Sequence, residues 1–366
     1  MSITERVAGP VAAEAAAWRV DPGYRTITLS SRSGTLRLRL RVRYLIVVAL
    51  LLAATTVAGV LALGTGDYAI AVGDVVRTLF GQGDRRMRLV VLEWRMPRVL
   101  LGLVLGAALG AAGAIFQSLT RNPLGSADII GFDAGAYTGA LLVITTVGTG
   151  YAMVASAAIG GGLGTAVVVY LIAYRRGFQG FRLIIVGIAV AAMLSSLNTW
   201  IMLHADLYMA LAAGAWGSGS LNAVGWEQAI PATIVLIPLW VAAAALARRM
   251  HLLEMGDDAA VALGVRTHRT RLWLVTLGVA LTAVATAAAG PIAFVSLAAP
   301  QLARRLTRSA GVTLAASAAM GALLLTTSDL AAQRLFAPTQ LPVGVITVAF
   351  GGVYLIWLLI REARRT

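Results

Sequence analysis

From Val99 to Thr120 the chain runs for 22 residues without a charge. That is about the ~20 residues a helix needs to cross hydrocarbon. Gly102, Gly106, Gly110 and Gly113 recur along it with alanines between them. In lipid, small residues at helical spacing let a neighbouring helix approach closely. Arg95 and Arg98 bracket Pro97 ahead of the run, and Arg121-Asn122-Pro123-Leu124-Gly125 ends it. The residue before a proline avoids the helical region, so the helix breaks there. A second apolar segment starts at Gly131. The unit is a span, a sharp turn and a second span, with charge only at the ends.

Apolar runs of this kind recur. They predict ten spans, at roughly 44–63, 98–119, 131–149, 151–174, 182–203, 228–247, 271–289, 291–306, 311–328 and 342–360. The eighth is short and contains Pro291 and Pro300. Of all residues 59% are hydrophobic and 13% charged, against roughly half and a quarter in soluble domains. The expected fold class is all-α, a polytopic membrane helical bundle formed by one domain, residues 44–366. Residues 1–43 are a polar, Arg-rich tail and do not read as a signal peptide. Within that tail YRTITLSSRSGTLRLRLRVR alternates polar and apolar residues around Ser33-Gly34, which makes it a hairpin candidate. Arg37, Arg39, Arg41 and Arg43 suit anionic headgroups.

Composition removes several function classes. The chain has no cysteine, so thiolate metal sites and iron–sulfur clusters are excluded. All 30 basic residues are arginine. Without lysine there is no Walker A loop and no Schiff-base enzyme. His204, His251 and His268 have no partner at metal-binding spacing. No catalytic residue is assigned, and if ATP is used another chain hydrolyses it. An intramembrane serine hydrolase would have Ser195, Ser196 and His204 to work with, but no G-x-S-x-G is present.

Arginine placement sets the orientation. With both termini in the cytoplasm, 23 arginines fall on the inner side and seven on the outer. The outer seven are Arg77, Arg85, Arg86, Arg88, Arg95, Arg98 and Arg334. Guanidinium groups form strong bidentate pairs with carboxylates, so this set suits an acidic partner or an anionic ligand.

On the inner side, LLEMGDDAAVALGV (Leu252–Val265) reads as a two-turn helix lying across the membrane face. Asp257 and Asp258 stand where negative charge favours a helix start. Met255, Ala259 and Leu263 share a face, and Gly264 is a stop. So short a helix must pack on its own spans or in a partner's groove. On the outer side Ala213–Gln228 is rich in Gly, Ser and Trp. It reads as an interfacial belt, Trp216 and Trp226, with a flexible lid at Gly217 and Gly219. Polar residues within spans are few: Gln117, Ser195, Ser196, Asn198, Thr282, Thr286, Ser328 and Asp329. They face a bundle interior or cavity, with Asp329 read as interfacial. No chain of buried carboxylates or histidines is visible, which argues against the alternative of a secondary carrier working alone.

These residues resemble the FecCD family of ATP-binding-cassette (ABC) importer permeases, which take up iron–siderophores, haem or vitamin B12. The family pattern is matched by Arg95, Pro97, Arg98, Gly106-Ala107-Ala108-Leu109, Gly113, Gln117 and Asn122-Pro123-Leu124. Gly290–Arg305 and Leu335–Gly352 match its closing pattern. The likeness covers about residue 44 to the end. It is nearest to the G-type permeases of ferric-enterobactin importers, through EWRMPR, GAIFQSLTRNPLGS, FRLIIVGI, LLEMGDD and GGVYLIWLLI.

The resemblance implies a type II importer permease with ten spans in the inner membrane and ferric siderophore as cargo. It implies a second FecCD-type permease, as a heterodimer or homodimer, and two ATPase subunits that hold the ATP. An extracytoplasmic siderophore-binding protein docks outside. It implies no cofactor on this chain and no nucleic-acid partner. Arg95, Arg98 and Arg334 match positions that pair with glutamates of the binding protein. Glu254, Met255, Gly256, Asp257, Asp258, Ala259, Leu263 and Gly264 match the coupling helix, here 252–265. Gln117, Asn122, Pro123, Leu124, Ser195 and Asn198 are expected along the gate and path. The turn Arg175–Phe181 is also expected at the inner gate. Gln301 stands where the family often has His.

Overall fold

The computed structural model describes residues 24–31, 34–66, 68–174, 179–222 and 224–363. Two strands, β1 (Tyr24–Ser31) and β2 (Gly34–Arg41), pair antiparallel from Tyr24 with Arg41 to Ser31 with Gly34. The expected hairpin therefore forms, although Ser33 itself lies outside the described residues. From Val42 onward the secondary structure is helical.

Helix α1 spans Val42–Gly64, followed by the short α2 (Val72–Leu79) and the single turn α3 (Arg85–Arg88). A π-helical stretch, Leu89–Arg95, leads without a break into α4 (Met96–Thr120). Pro97 lies directly after this π-helical stretch, at the second position of α4. Then come α5 (Phe132–Thr146), α6 (Tyr151–Ala173), α7 (Gly180–His204), α8 (Leu207–Gly217) and α9 (Trp226–Glu254). The chain continues through α10 (Asp257–Ala262), α11 (Thr267–Ala289), α12 (Val295–Thr307), α13 (Leu314–Arg334) and α14 (Val343–Ala363).

Helix α4 is the central post. It packs against α13, α11, α12 and α9, and 78% of its most apolar window is buried, against 17% for α7. The contact is made by small residues. A Cβ added to Gly106 would sit 2.5 Å from Gly321 O, and one added to Gly110 would sit 2.2 Å from Ser317 O. Gly135 and Gly139 of α5 meet Gly161 and Ala157 of α6 in the same way. Lipid tails are as apolar as leucine, so helix association in a membrane relies on such close packing rather than on the hydrophobic effect.

A helix occupies each of the ten segments expected to span, but they differ in length. Among the described residues, seven helical stretches are long and apolar enough to cross a membrane: 42–64, 85–120, 151–173, 180–204, 226–254, 267–289 and 314–334. Segment 291–306 is helical only in part. Residues 290–294 are non-helical, and α12 has 13 residues. At 1.5 Å per residue it rises about 20 Å, short of the ~30 Å of hydrocarbon. The loop at Gly217 and Gly219, expected as a flexible lid, is hydrogen-bonded to its neighbours. Ser220 N donates to Ala289 O, and Gly344 N donates to Gly219 O, so this loop is tied to α11 and α14.

Candidate functional site

The bundle has two polar ends, one around Arg98 and one around Arg121. At the first end, Arg95 and Arg334, distant in sequence, meet at the loop that follows α1. Arg95 donates from Nη1 to Leu63 O at 2.8 Å and from Nη2 to Tyr68 O at 2.6 Å. Arg334 Nη2 reaches Gly66 O at 3.4 Å, and its side chain is exposed. Arg98 does something else. Its Nε and Nη2 donate to the two carboxylate oxygens of Asp329 at 2.9 and 2.8 Å, and Nη1 donates to Gln340. Gln333 donates a further bond to Asp329. The two side chains are 14% and 5% exposed. Asp329, read from sequence as interfacial, is thus a buried partner that joins α13 to α4.

The second end is built on the break after α4. Arg121 caps that helix in a left-handed conformation, φ 51°. Asn122 Oδ1 then accepts from Leu124 N at 2.9 Å, closing the turn with the local bond that Asn is suited to make. Gln301 Nε2 donates to Pro123 O at 2.8 Å, and Tyr354 OH donates to Gln301 Oε1. A glutamine therefore serves as an anchor for the turn. Gln117 Nε2 donates to Leu297 O at 3.0 Å, tying α4 to α12 from within the bundle. An open cleft here is lined by Gln117, Asn122, Pro123 and Leu124 together with Arg304, Arg305 and Arg308. Ser195 and Asn198 do not join this group. They line a separate cleft with Tyr137, Thr199 and Met202, between α5 and α7. Of the turn Arg175–Phe181, residues 175–178 lie outside the described residues.

The segment expected as one helix over 252–265 is divided. Glu254 ends α9, Met255 and Gly256 form a link, and α10 holds Asp257–Ala262. Gly256 has φ 114° and Gly264 φ 80°, conformations that glycine adopts without a steric cost. Met255, Val261 and Leu263 are 66%, 59% and 58% exposed, while Ala260 is buried. Asp257 turns inward and accepts from Arg121 Nη2 at 2.8 Å and from Arg271 of α11. Asp258 is exposed.

One polar feature escaped the sequence reading. Asp128 accepts from Phe294 N at 3.1 Å and from Ser296 Oγ at 2.8 Å. It caps the start of α12 across 166 residues of chain. Five residues on, Asp133 accepts from Thr286 Oγ1 at 3.0 Å. The signal lay in SADIIGFDAGA, two carboxylates in an otherwise apolar stretch. Among the described residues, no cluster of three His, Asp or Glu could hold a metal ion.

Comparison with known proteins places this arrangement. The model of the FecCD transport family matches residues 40–361. The ferric enterobactin transport system permease protein FepG of Escherichia coli (strain K12) is 51% identical over 323 residues, 88% of this chain and 98% of FepG. The probable siderophore transport system permease protein YfhA of Bacillus subtilis (strain 168) is 37% identical, over 86% of this chain and 94% of its own length. Among solved structures, an inward-facing metal-chelate type ABC transporter superposes with a TM-score of 0.78 at 26% identity. It covers 87% of this chain and all of the solved one.

Proposed function

The chain belongs to the FecCD transport family, and from that membership we propose that it is the permease subunit of an importer that moves a ferric siderophore across the cytoplasmic membrane. The observation that carries the substrate class is the 51% identity to a ferric enterobactin permease along nearly the whole of that protein. In this reading the chain crosses the membrane ten times with both termini in the cytoplasm, the non-helical residues 290–294 and α12 together making the eighth crossing. Residues 1–43 are a cytoplasmic tail and 44–366 the transport domain. Another FecCD-type permease completes the path, and two separate ATPase subunits hydrolyse the ATP. This chain binds no cofactor of its own.

The Arg121 end then faces the cytoplasm. Val261 on α10 and Met255 and Leu263 beside it expose apolar side chains around a helix too short to be stable alone, and an ATPase groove would cover them. Gln117, Asn122, Pro123 and Leu124 line the inner mouth. The Arg98 end faces outward and receives a substrate-binding protein with acidic side chains. There the three arginines divide the work. Arg334 offers an exposed charge, while Arg95 and Arg98 build the surface around it. ATP drives transport only through what it binds differently in the two conformations of the complex.

The test is reconstitution in vesicles of the chain with its partner permease, ATPases and binding protein. Uptake of labelled ferric siderophore is expected only with ATP and binding protein present; uptake by the chain alone would refute the reading. Reversing one exposed charge should act on docking. Arg334→Glu is expected to weaken binding-protein association about tenfold, chiefly through the on-rate. Unchanged docking in a titration at low salt would remove Arg334 from that surface.

A further inference from the structure

We infer that Asp257 is the pin that carries movement of the short helix α10 to the break after α4 and to the core helix α11. The inference rests on the importer reading and assigns it a transmission point. Three elements meet at one carboxylate. Arg121, the capping residue of α4, donates to Asp257 Oδ1 at 2.8 Å. Arg271 of α11 donates to the same oxygen. Arg121 Nη2 also donates to Leu253 O at 2.8 Å, where α9 ends. One guanidinium thus touches α9 and α10 while belonging to α4. The residue immediately after it begins the Asn122-Pro123-Leu124 turn at the mouth of the cleft.

The local backbone fits a moving part. A six-residue helix is not stable on its own. Positive-φ glycines, Gly256 and Gly264, flank it and can absorb rotation. Its apolar side chains point out, toward whatever pushes it. Ala260, which is buried, and the Asp257 ion pairs hold it to the bundle from within. Arg121, a non-glycine residue at φ 51°, is held in a costly conformation that persists only where surroundings over-determine it. The two bonds of its Nη2 provide that hold. A displacement of α10 therefore pulls on the one residue that shapes the turn. Through Arg271 it pulls as well on α11, whose apolar window is 78% buried.

The pair contributes direction more than stability. Arg121 and Asp257 side chains are 48% and 47% exposed, and ion pairs between exposed groups contribute little to folding. Loss of the pin should leave a folded, assembled transporter that spends ATP without moving cargo. The assembled complex in vesicles gives three readouts: uptake per ATP hydrolysed, ATPase copurified, and thermal midpoint. Asp257→Asn is expected to lower uptake per ATP about tenfold, a usual size for coupling between sites. Copurification should stay unchanged, and the midpoint nearly so, since an amide oxygen can still accept from Arg271, whose side chain is 12% exposed. Arg121→Gln should do the same. The double variant should be no worse than Asp257→Asn alone, because that carboxylate serves the links to both Arg121 and Arg271. Asp257→Glu, which keeps the charge, should recover part of the loss. A ratio in Asp257→Asn that stays within about twofold of the unmodified complex would overturn the inference. So would a fall that tracks loss of ATPase or of thermal stability. An unmodified assembly that moves no chelate on ATP sinks the importer reading, and the pin with it.

Discussion

Arg98→Ala is expected to lower the thermal midpoint of the purified protein in detergent by about 10 °C, while replacing both members of its ion pair costs far less. The reasoning starts from burial. Arg98 and Asp329 are 14% and 5% exposed and joined through both carboxylate oxygens. Removing one partner of a buried pair leaves the other charge stranded, at a cost of about 3–5 kcal/mol. Folded proteins hold only about 5–15 kcal/mol in total. Asp329 would keep its bond from Gln333, but a neutral amide replaces a guanidinium poorly. Replacing both with apolar residues of similar size is often neutral, so Arg98→Met with Asp329→Leu should melt near the unmodified protein. The comparison also separates two roles. If Arg98 acted only by contacting an acidic binding protein, the single variant would melt normally and dock poorly. The double variant would then dock no better than the single. A normal midpoint in Arg98→Ala would show that the pair does not hold α4 to α13.

How much of this was legible in the sequence depended on whether the signal was local. The central helix, its break at Asn122-Pro123 and its glycine stripe are written in contiguous residues, and all are present. The helix at Asp257–Ala262 could be read from two aspartates and a glycine stop. Its division from α9 could not, because Gly256 looks like any other glycine until its φ is known. Short-range reading also missed where the helix of the 291–306 segment begins. Its apolar content resembled a span, but Gly290 and Pro291 displace the helix start to Val295. Contacts distant in sequence were invisible. Arg98 and Asp329 lie 231 residues apart, so each was read by itself, one as a docking residue and the other as interfacial. Asp128 and the start of α12 are in the same position. Ser195 and Asn198 were grouped with Gln117 because all are polar residues in apolar helices. The packing of α7 against α5 puts them in a cleft of their own.

The largest effect is expected at Gly113. A Cβ there would fall 1.7 Å from Ser296 O and 2.6 Å from Ser296 C. These are backbone atoms, and they cannot rotate away as a side-chain end could. The surroundings cannot yield either. Ser296 is held by Asp128 through Oγ, and the next residue, Leu297, accepts from Gln117 one turn along α4. Any side chain at 113 must therefore push α4 and α12 apart. Separation would stretch the Gln117–Leu297 bond and forfeit dispersion contacts, which fall off within ~1 Å. Overpacking costs about 1–3 kcal/mol in ordinary cores, and more where backbone blocks relaxation. Gly113→Ala should fold with a clearly lowered midpoint, and Gly113→Leu should not accumulate as folded protein in membranes. Gly160 on α6 makes the matched control, since a Cβ there would meet nothing within 4 Å. Gly160→Leu should accumulate normally and gain up to about 1 kcal/mol of helix propensity. Folded yield and melting of the two leucine variants measure the difference directly. If Gly113→Leu folds and melts like Gly160→Leu, α4 and α12 do not touch, and the geometry at the Arg121 end that depends on their contact is wrong.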